Sequence, residues 1–376
     1  MQVFDLLAYI SACIWITIFL LPWKPYSTKE VLDSSDLDID SDFYDITVVI
    51  PARNESKIIK KTLMALNEQG KRLNIVLVDD ESTDGTSEIA RDMGLENLKI
   101  IKGKPLPKGW TGKIWALEQG LQLVNTPYTL FIDADIIMKN RILATLKDKM
   151  IKEDWDMISL MAALSMNKFW EKMLIPSFIY FFKLLYPFSL SNKRSSKIAA
   201  AAGGCMFVKT KALRDIGGFQ SIKDEIIDDC ALAKRLKQAG NKIWIGLTRS
   251  VISQRKYTKL SDIWNMVART AFTQLKYSIS LLILCTIMMA ASFIFPFLGL
   301  LSNNIYAILI SWLALSVMII TYMPTIKFYG LSKLWALTLP ISGVLYLMMT
   351  WSSAIRFFMG KRSEWKGRTY SAHNVS

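Results

Sequence analysis

Long uninterrupted apolar runs stand toward both ends of the chain, and shorter ones alternate with polar turns between them. Residues 6 to 23, 279 to 301, 304 to 323 and 334 to 355 carry no charged side chain, and each approaches the ~20 residues a helix needs to cross hydrocarbon. Between these runs, ITVVI (46–50), NIVLV (74–78), LKII (98–101) and YTLFI (128–132) have the length and β-rich composition of buried strands. Segments 55–69, 86–92 and 112–124 separate them and repeat apolar residues every three or four positions, the period of helices that cover a sheet. Strand and helix in alternation predict an α/β fold, a mostly parallel doubly wound sheet whose ligands gather at the carboxyl ends of its strands. The expected organisation is an N-terminal transmembrane anchor (1–23), an acidic linker (24–44), an α/β domain (45–278) with interfacial helices at about 168–190 and 260–278, C-terminal transmembrane helices (279–355) and a basic tail (356–376).

Flanking charge sets the expected orientation. The first run has Asp5 in place of a basic leader and no small-residue cleavage pattern, which suits a retained signal anchor. Lys24 and Lys29 follow it, so the large domain is expected on the cytoplasmic face of a bacterial inner membrane, in a multi-pass chain. Arg356, Lys361, Arg362, Lys366 and Arg368 place the tail on that side too. One of the three C-terminal runs is therefore expected not to cross. Pro296 in one run, and Pro340 with Gly343 in another, make either a candidate broken or re-entrant helix.

Composition narrows the chemistry. Forty-six Lys and Arg against 32 Asp and Glu leave +14 on 376 residues, a balance suited to anionic lipid, nucleic acid or phosphate-bearing substrates. A single histidine, His373, leaves no room for a Ser-His-Asp triad or a His-ligated zinc. Cys13, Cys205, Cys230 and Cys285 lack CxxC spacing and suggest neither a disulfide framework nor a zinc site. Catalysis must then rest on carboxylates, lysines and bound metal.

Those carboxylates stand where the predicted strands end. Strand 46–50 runs into PARNE (51–55), strand 74–78 into DDESTDGT (79–86) and strand 128–132 into DAD (133–135). Each turn alone reads as a cap, with Asn54 or Asp84 before a helix. Together they crowd carboxylates at one sheet edge, where they repel unless cations or ligand donors offset them. Gly112-Lys113 does not make a Walker A loop: Pro107 stands where the first glycine is required and Ile114 follows the lysine. It does place backbone N–H groups and Lys113 at a helix start able to meet a diphosphate, with a solvated lysine as the alternative.

On these turns the sequence resembles the family 2 glycosyltransferases, over roughly residues 45 to 270. The resemblance implies a GT-A, Rossmann-like fold with a mostly parallel sheet, an inverting hexosyl transfer and a nucleotide-sugar donor, most often UDP-linked. Ala52, Arg53, Glu55, Asp79 and Asp80 are the positions that match the family's nucleoside contacts. DAD matches the DxD signature, which implies Mg2+ or Mn2+ held by Asp133 and Asp135, with Asp135 the first choice as direct ligand and Asp133 shared with the ribose. Hard divalent cations take carboxylate and phosphate oxygens, which gives the signature its chemistry.

The same resemblance implies that Gly203, Gly204 and Cys205 border the acceptor site and that Asp229 is the catalytic base. Asp228 stands where many relatives have Glu, and a helix cap is the bland reading of the pair. Where processive members carry QxxRW, this chain reads SDIWNMVARTAF (261–272). Trp264 and Arg269 take an acceptor-contact role or lie on the bilayer in an amphipathic helix. The stretch 168–197 has the same two readings, an interfacial helix or one that covers the core.

LPKGWTGKIWAL, AAAGGCMFVK, SQRKY and EWKGRTY look most like the hopanoid-biosynthesis-associated glycosyltransferases. The acceptor this implies is a hopanoid or similar lipid at the membrane. A carotenoid, ceramide-like or polyprenyl-phosphate acceptor is the alternative. From another class, a non-catalytic protein binding anionic lipid or nucleic acid would explain the charge but not the three acidic turns. No nucleic-acid partner is expected, since RNP, zinc-finger and helix-turn-helix patterns are missing.

Overall fold

A computed structural model describes residues 3–35 and 42–360, together with the backbone of Ser363–Trp365 and Arg368–Tyr370. Most of the basic tail's side chains and the middle of the acidic stretch lie outside the described residues. The chain forms two compact units. One gathers Met1–Lys29, Met166–Ser189 and Tyr257–Ser363; the other gathers Glu30–Ser165, Leu190–Lys256 and Glu364–Ser376.

The second unit is built on eight strands: β1 (Ile46–Ala52), β2 (Asn74–Asp79), β3 (Leu98–Lys102), β4 (Tyr128–Ile132), β5 (Ile136–Met138), β6 (Met157–Ala163), β7 (Cys205–Lys209) and β8 (Ile243–Ser253). Their order in the sheet is β3-β2-β1-β4-β7-β6-β8-β5. The first four pair in parallel, as the alternation of strand and helix predicts. β7 runs antiparallel between β4 and β6, and β5 runs antiparallel to β8. Ile46, Val48 and Ile50 join one apolar cluster with Leu63 and Leu66, while Val49 joins another with Ile114 and Leu117. Both faces of β1 are therefore covered, which is why its sequence is continuously apolar instead of alternating.

Two expectations change in this unit. The acidic linker was expected to run free to residue 44, but Leu32 N–H donates to Leu247 O at 3.0 Å, and Thr248 Oγ1 donates to Asp33 Oδ1 at 3.1 Å. Residues 30–35 thus lie along β8, because its backbone groups and Arg249 offer partners that free chain would leave to water. The stretches 168–190 and 260–278, expected within the α/β domain, fall almost wholly in the other unit.

The first unit is helical. Val3–Leu20, Ile305–Phe328 and the stretch Lys333–Phe358 are each long and apolar enough to cross a membrane, and Leu260–Gln274 with Ile279–Phe293 forms a pair bent by 120°. The run 279–301 is the one that breaks: its helix ends at Phe293 and a short helix, Phe295–Gly299, restarts with Pro296 in its first turn. Helix Phe169–Leu185 is packed within this unit, with Leu174, Tyr180 and Lys183 buried. Pro176 loosens its backbone ladder, and the hydroxyls of Ser342 and Tyr346 donate to the nearby carbonyls of Met173 and Leu174 at 3.2 and 2.8 Å.

Candidate active site

Register brings the acidic turns together. Ala52 at the end of β1 pairs with Asp79 at the end of β2, and β4 ends beside them at Ile132. The first two turns are tied to each other by their own polar groups. Asn54 takes a left-handed φ of 53°, its N–H donates to Ser82 Oγ at 3.0 Å, and its Oδ1 accepts from Thr83 N–H at 2.9 Å. Asp84 accepts from Ser56 N–H at 2.9 Å and from Thr86. Burial works against its ionisation, but the hydrogen bonds from Thr86 and Ser56 together outweigh it and hold its carboxyl down at about 2. Asp84 is therefore the turn residue that the bland reading allowed.

The expected nucleoside contacts divide into two groups. Asp79 spends its carboxylate internally, accepting from Ser82 N–H at 2.8 Å and from the Ser87 hydroxyl. Asp80 is fully buried, and Arg53 reaches across to it, with Nη1 2.6 Å from the Asp80 carbonyl and 3.7 Å from Asp80 Oδ2. Ala52 is buried at the strand end, and Glu55 N–H donates to Thr86 Oγ1 at 2.8 Å. Arg53 and Asp80 thus form a fixed wall, whereas Asp79 holds the turn's shape.

A second cluster centres on Lys113, in the first turn of helix Gly112–Leu121. Its Nζ lies 2.8 Å from Asp133 Oδ1 and 3.6 Å from Asp228 Oδ2. Burial disfavours the ammonium, but Asp133 and Asp228 outweigh that and hold its pKa above the ordinary lysine value. Asp228 and Asp229 open helix Asp228–Gln238. Asp229 accepts from Gly203 N–H and from its neighbour Cys230 N–H, both at 2.7 Å. Burial and the adjacent Asp228 carboxylate push its pKa up to about 6 against the opposing pull of Lys113. Asp228 Oδ2 is buried and accepts no hydrogen bond from the described residues.

The glycine pair is placed by close approach. A Cβ on Gly203 would stand 3.1 Å from Lys113 Nζ and 3.3 Å from Asp229 Oδ2, and one on Gly204 would stand 3.3 Å from Ile136 Cδ1. Cys205 starts β7 opposite Ile132 and is fully buried. Burial and the nearby Asp133 raise its thiol to about 12, so it stays protonated. Trp264, half-buried, and Arg269, exposed, belong to the helical unit.

Sequence reasoning missed the partners of Asp135. This residue is buried, and its Oδ2 accepts from Ser253 Oγ at 2.7 Å and from Arg255 Nε at 3.0 Å. Arg255 Nη2 also donates to Glu55 Oε1 at 3.4 Å. The SQRKY segment at the end of β8 carried no chemical pattern of its own; only the antiparallel pairing of β5 with β8, Ile136 opposite Ser253, brings it to the DAD turn. Among the described residues, no three His, Cys, Asp or Glu side chains form a preassembled metal cage. Asp133, about a third exposed, does fit Mg2+ or Mn2+, since such sites often use one or two protein carboxylates and fill the shell from substrate phosphates.

The mostly parallel sheet and its helices define a GT-A, Rossmann-like fold. Residues 47–217 match the family model described as Glycosyl transferase family 2. A 4,4'-diaponeurosporenoate glycosyltransferase of Staphylococcus haemolyticus is 37% identical over 95 residues, 25% of each protein. Its namesake in Staphylococcus aureus is 34% identical over 94 residues, 24% of each. The chain is thus matched to about a quarter of the length of these curated relatives. In overall fold it is similar to a mannosyltransferase of Pyrobaculum calidifontis in complex with GDP-Man and Mn2+, with a TM-score of 0.55 and 19% identity over 94% of this chain and 98% of that one.

Proposed function

We propose that this protein is an inverting, membrane-anchored glycosyltransferase that moves a sugar from a nucleotide sugar to a lipid acceptor. The observation that carries the reading is the position of Lys113, in contact with Asp133 of the DAD turn and beside the Asp228-Asp229 pair. One ammonium thereby joins the turn expected to face the donor diphosphate to the carboxylates expected to face the acceptor. The donor's nucleoside lies along the wall of Ala52, Arg53 and Asp80, and Lys113 meets the diphosphate.

Asp229 is the base. A carboxylate raised toward about 6 is ionised at neutral pH yet takes a proton more readily than an ordinary aspartate. It removes the proton of the acceptor hydroxyl as that oxygen bonds to the anomeric carbon, while the bond from that carbon to the diphosphate oxygen breaks on the opposite face. The electron pair leaves with the nucleoside diphosphate, beside Lys113. Asp228 Oδ2 is buried without a hydrogen bond from the described residues, its nearest cation being Lys113 Nζ at 3.6 Å, which supports a role in accepting a hydrogen bond from the acceptor. Asp133 would hold the divalent cation, which supplies charge neutralisation at the leaving diphosphate.

The named relatives favour an acceptor of the carotenoid type over a hopanoid. Three helices able to cross a bilayer, with Lys24 and Lys29 after the first, support a multi-pass protein of the inner membrane with its catalytic unit on the cytoplasmic face. The test is turnover by the detergent-purified protein of a UDP- and GDP-sugar panel with Mn2+ or Mg2+, offering carotenoid, hopanoid and polyprenyl-phosphate acceptors separately. Transfer to one lipid class that is lost in Asp229→Asn supports the reading. A folded wild type that neither binds nor turns over any donor would end it.

A further inference from the structure

Helix Ile305–Phe328 has a single charged residue, Lys327, in its last turn. Beside it lies a cavity of about 600 Å³, lined by Thr28, Ile320, Met323, Pro324, Lys327 and Phe328, all within the helical unit. The five helix residues recur at three- and four-residue spacing, so they form one stripe that runs from apolar side chains to an exposed ammonium. Pro324 has no N–H to return to the Ile320 carbonyl one turn earlier, which adds a polar acceptor to that stripe. Thr28 comes from the chain after the first helix, and that segment is held in place. Lys183, 1% exposed, donates from Nζ to Tyr26 O at 3.2 Å and to Thr325 Oγ1 at 3.4 Å, and the Tyr26 hydroxyl donates to Phe19 O at 3.0 Å. Among the described residues, neither the Lys327 ammonium nor the Thr28 hydroxyl has a hydrogen-bond or ion-pair partner. Residues 21–29 and 303–335 contain no acid, while they hold Lys24, Lys29, Lys327 and Lys333.

We propose that this cavity seats one anionic phospholipid of the cytoplasmic leaflet, its phosphate on Lys327 and Thr28 and the start of an acyl chain along Ile320, Met323, Pro324 and Phe328. The polar end and the apolar stripe match the order of groups in such a lipid, and basic pockets among membrane helices take anionic headgroups in this way. A zwitterionic headgroup would bring its own cation to a surface that already carries four lysines and no acid. A phosphate without chains would leave the apolar stripe in water. The seat is independent of the sugar-transfer reading, since none of its lining residues is among those expected to meet donor, metal or acceptor. Its occupant would join the segment after the first helix to helix Ile305–Phe328 and so stabilise the helical unit.

The test is native mass spectrometry of the full-length protein in detergent, titrated with phosphatidylglycerol or with phosphatidylcholine of the same acyl chains. Thermal unfolding of each protein is followed with and without the lipid. The expected result is one phosphatidylglycerol held about tenfold more tightly than phosphatidylcholine, with a raised Tm. Lys327→Gln should weaken it by about tenfold, and Lys327→Arg should keep most of the affinity. Lys333→Gln changes a lysine outside the cavity and should stay within about twofold of wild type. Lys327 is exposed in a last helical turn, so these variants are expected to match the wild-type Tm without lipid. Equal affinity for the two lipids overturns the proposal, as does unchanged affinity in Lys327→Gln. An equal loss in Lys327→Gln and Lys333→Gln would mean a diffuse basic surface and overturns it too. Glycerol 3-phosphate, the headgroup without chains, should fail to displace the bound lipid; displacement would make the cavity a site for soluble phosphate and end the lipid assignment.

Discussion

Gly203 donates its backbone N–H to Asp229 Oδ2 at 2.7 Å, and a Cβ at that glycine would stand 3.3 Å from the same oxygen. The contact fixes the expected base by main chain, which no side chain can replace. It also leaves no room for one.

Gly203→Ala should therefore act on rate and not on folding. The added methyl presses on both Lys113 Nζ and Asp229 Oδ2, and shifts of a few tenths of an ångström in a base cost turnover first. We expect kcat to fall by about tenfold, with Tm changed by less than ~4 °C. Unchanged kcat in the substitution would remove Gly203 from the site.

Acidity supplies a directional prediction. In the proposed role of base Asp229 must be ionised, and its pKa is raised from 3.8 to about 6, first by burial and then by Asp228. The rate should fall as pH drops through about 6. Removing the like charge, Asp228→Asn, should move this limb to lower pH; removing the opposing cation, Lys113→Met, should move it to higher pH. Asp229→Asn should lower kcat by roughly 10²–10⁴-fold and keep donor binding. Profiles of kcat/KM for the four proteins check the signs, and a limb that moves the same way in both charge variants contradicts the assignment.

Gly120 gives a stability counterpart within the α/β unit. It lies in helix Gly112–Leu121, where a Cβ would come within 2.3 Å of Val49 Cγ1 and 3.2 Å of Val78 Cγ2, both buried core side chains. Gly120→Ala should destabilise by ~1–3 kcal/mol despite alanine's better helix propensity. Thermal unfolding of the variant decides it, and a raised Tm would show that the helix has room to move.

In the helical unit, Tyr322 and Ser177 share a buried hydrogen bond of 3.0 Å, one turn from the 2.9 Å bond between Tyr180 and Thr321. Ser177 keeps its bond to Met173 O when Tyr322 is cut back, so Tyr322→Phe should cost only ~0.5–1.5 kcal/mol. A larger loss in detergent unfolding would mean that the two bonds act as one network.

Much of the α/β unit was legible before any coordinates. Strand runs 46–50, 74–78, 98–101 and 128–132 match β1 to β4 within two residues, because strands covered on both faces leave unbroken apolar runs. The helix expected from 55 begins only at Ile59, since Asn54, Ser56 and Glu55 are taken by bonds to the turn 82–86, which periodicity does not see. The break in the run 279–301 was readable from Pro296, whereas a second candidate, 334–355, keeps a continuous helix from Leu339 with Pro340 in its first turn, where proline is tolerated.

Local facts were written in the order of side chains: which segments are strand or helix, which runs suit a bilayer, and that polar turns end the strands. These follow from side-chain periodicity and from residues a few positions apart. The tertiary structure alone decided which charges meet. Lys113 reaches Asp133 and Asp228 across 20 and 115 positions, and Arg255 reaches Asp135 across 120, because β4 hands the chain through the DAD turn to β5 on the far side of β8. No periodicity records such a crossing, since the energy that fixes it comes from burial and pairing between strands distant in the chain.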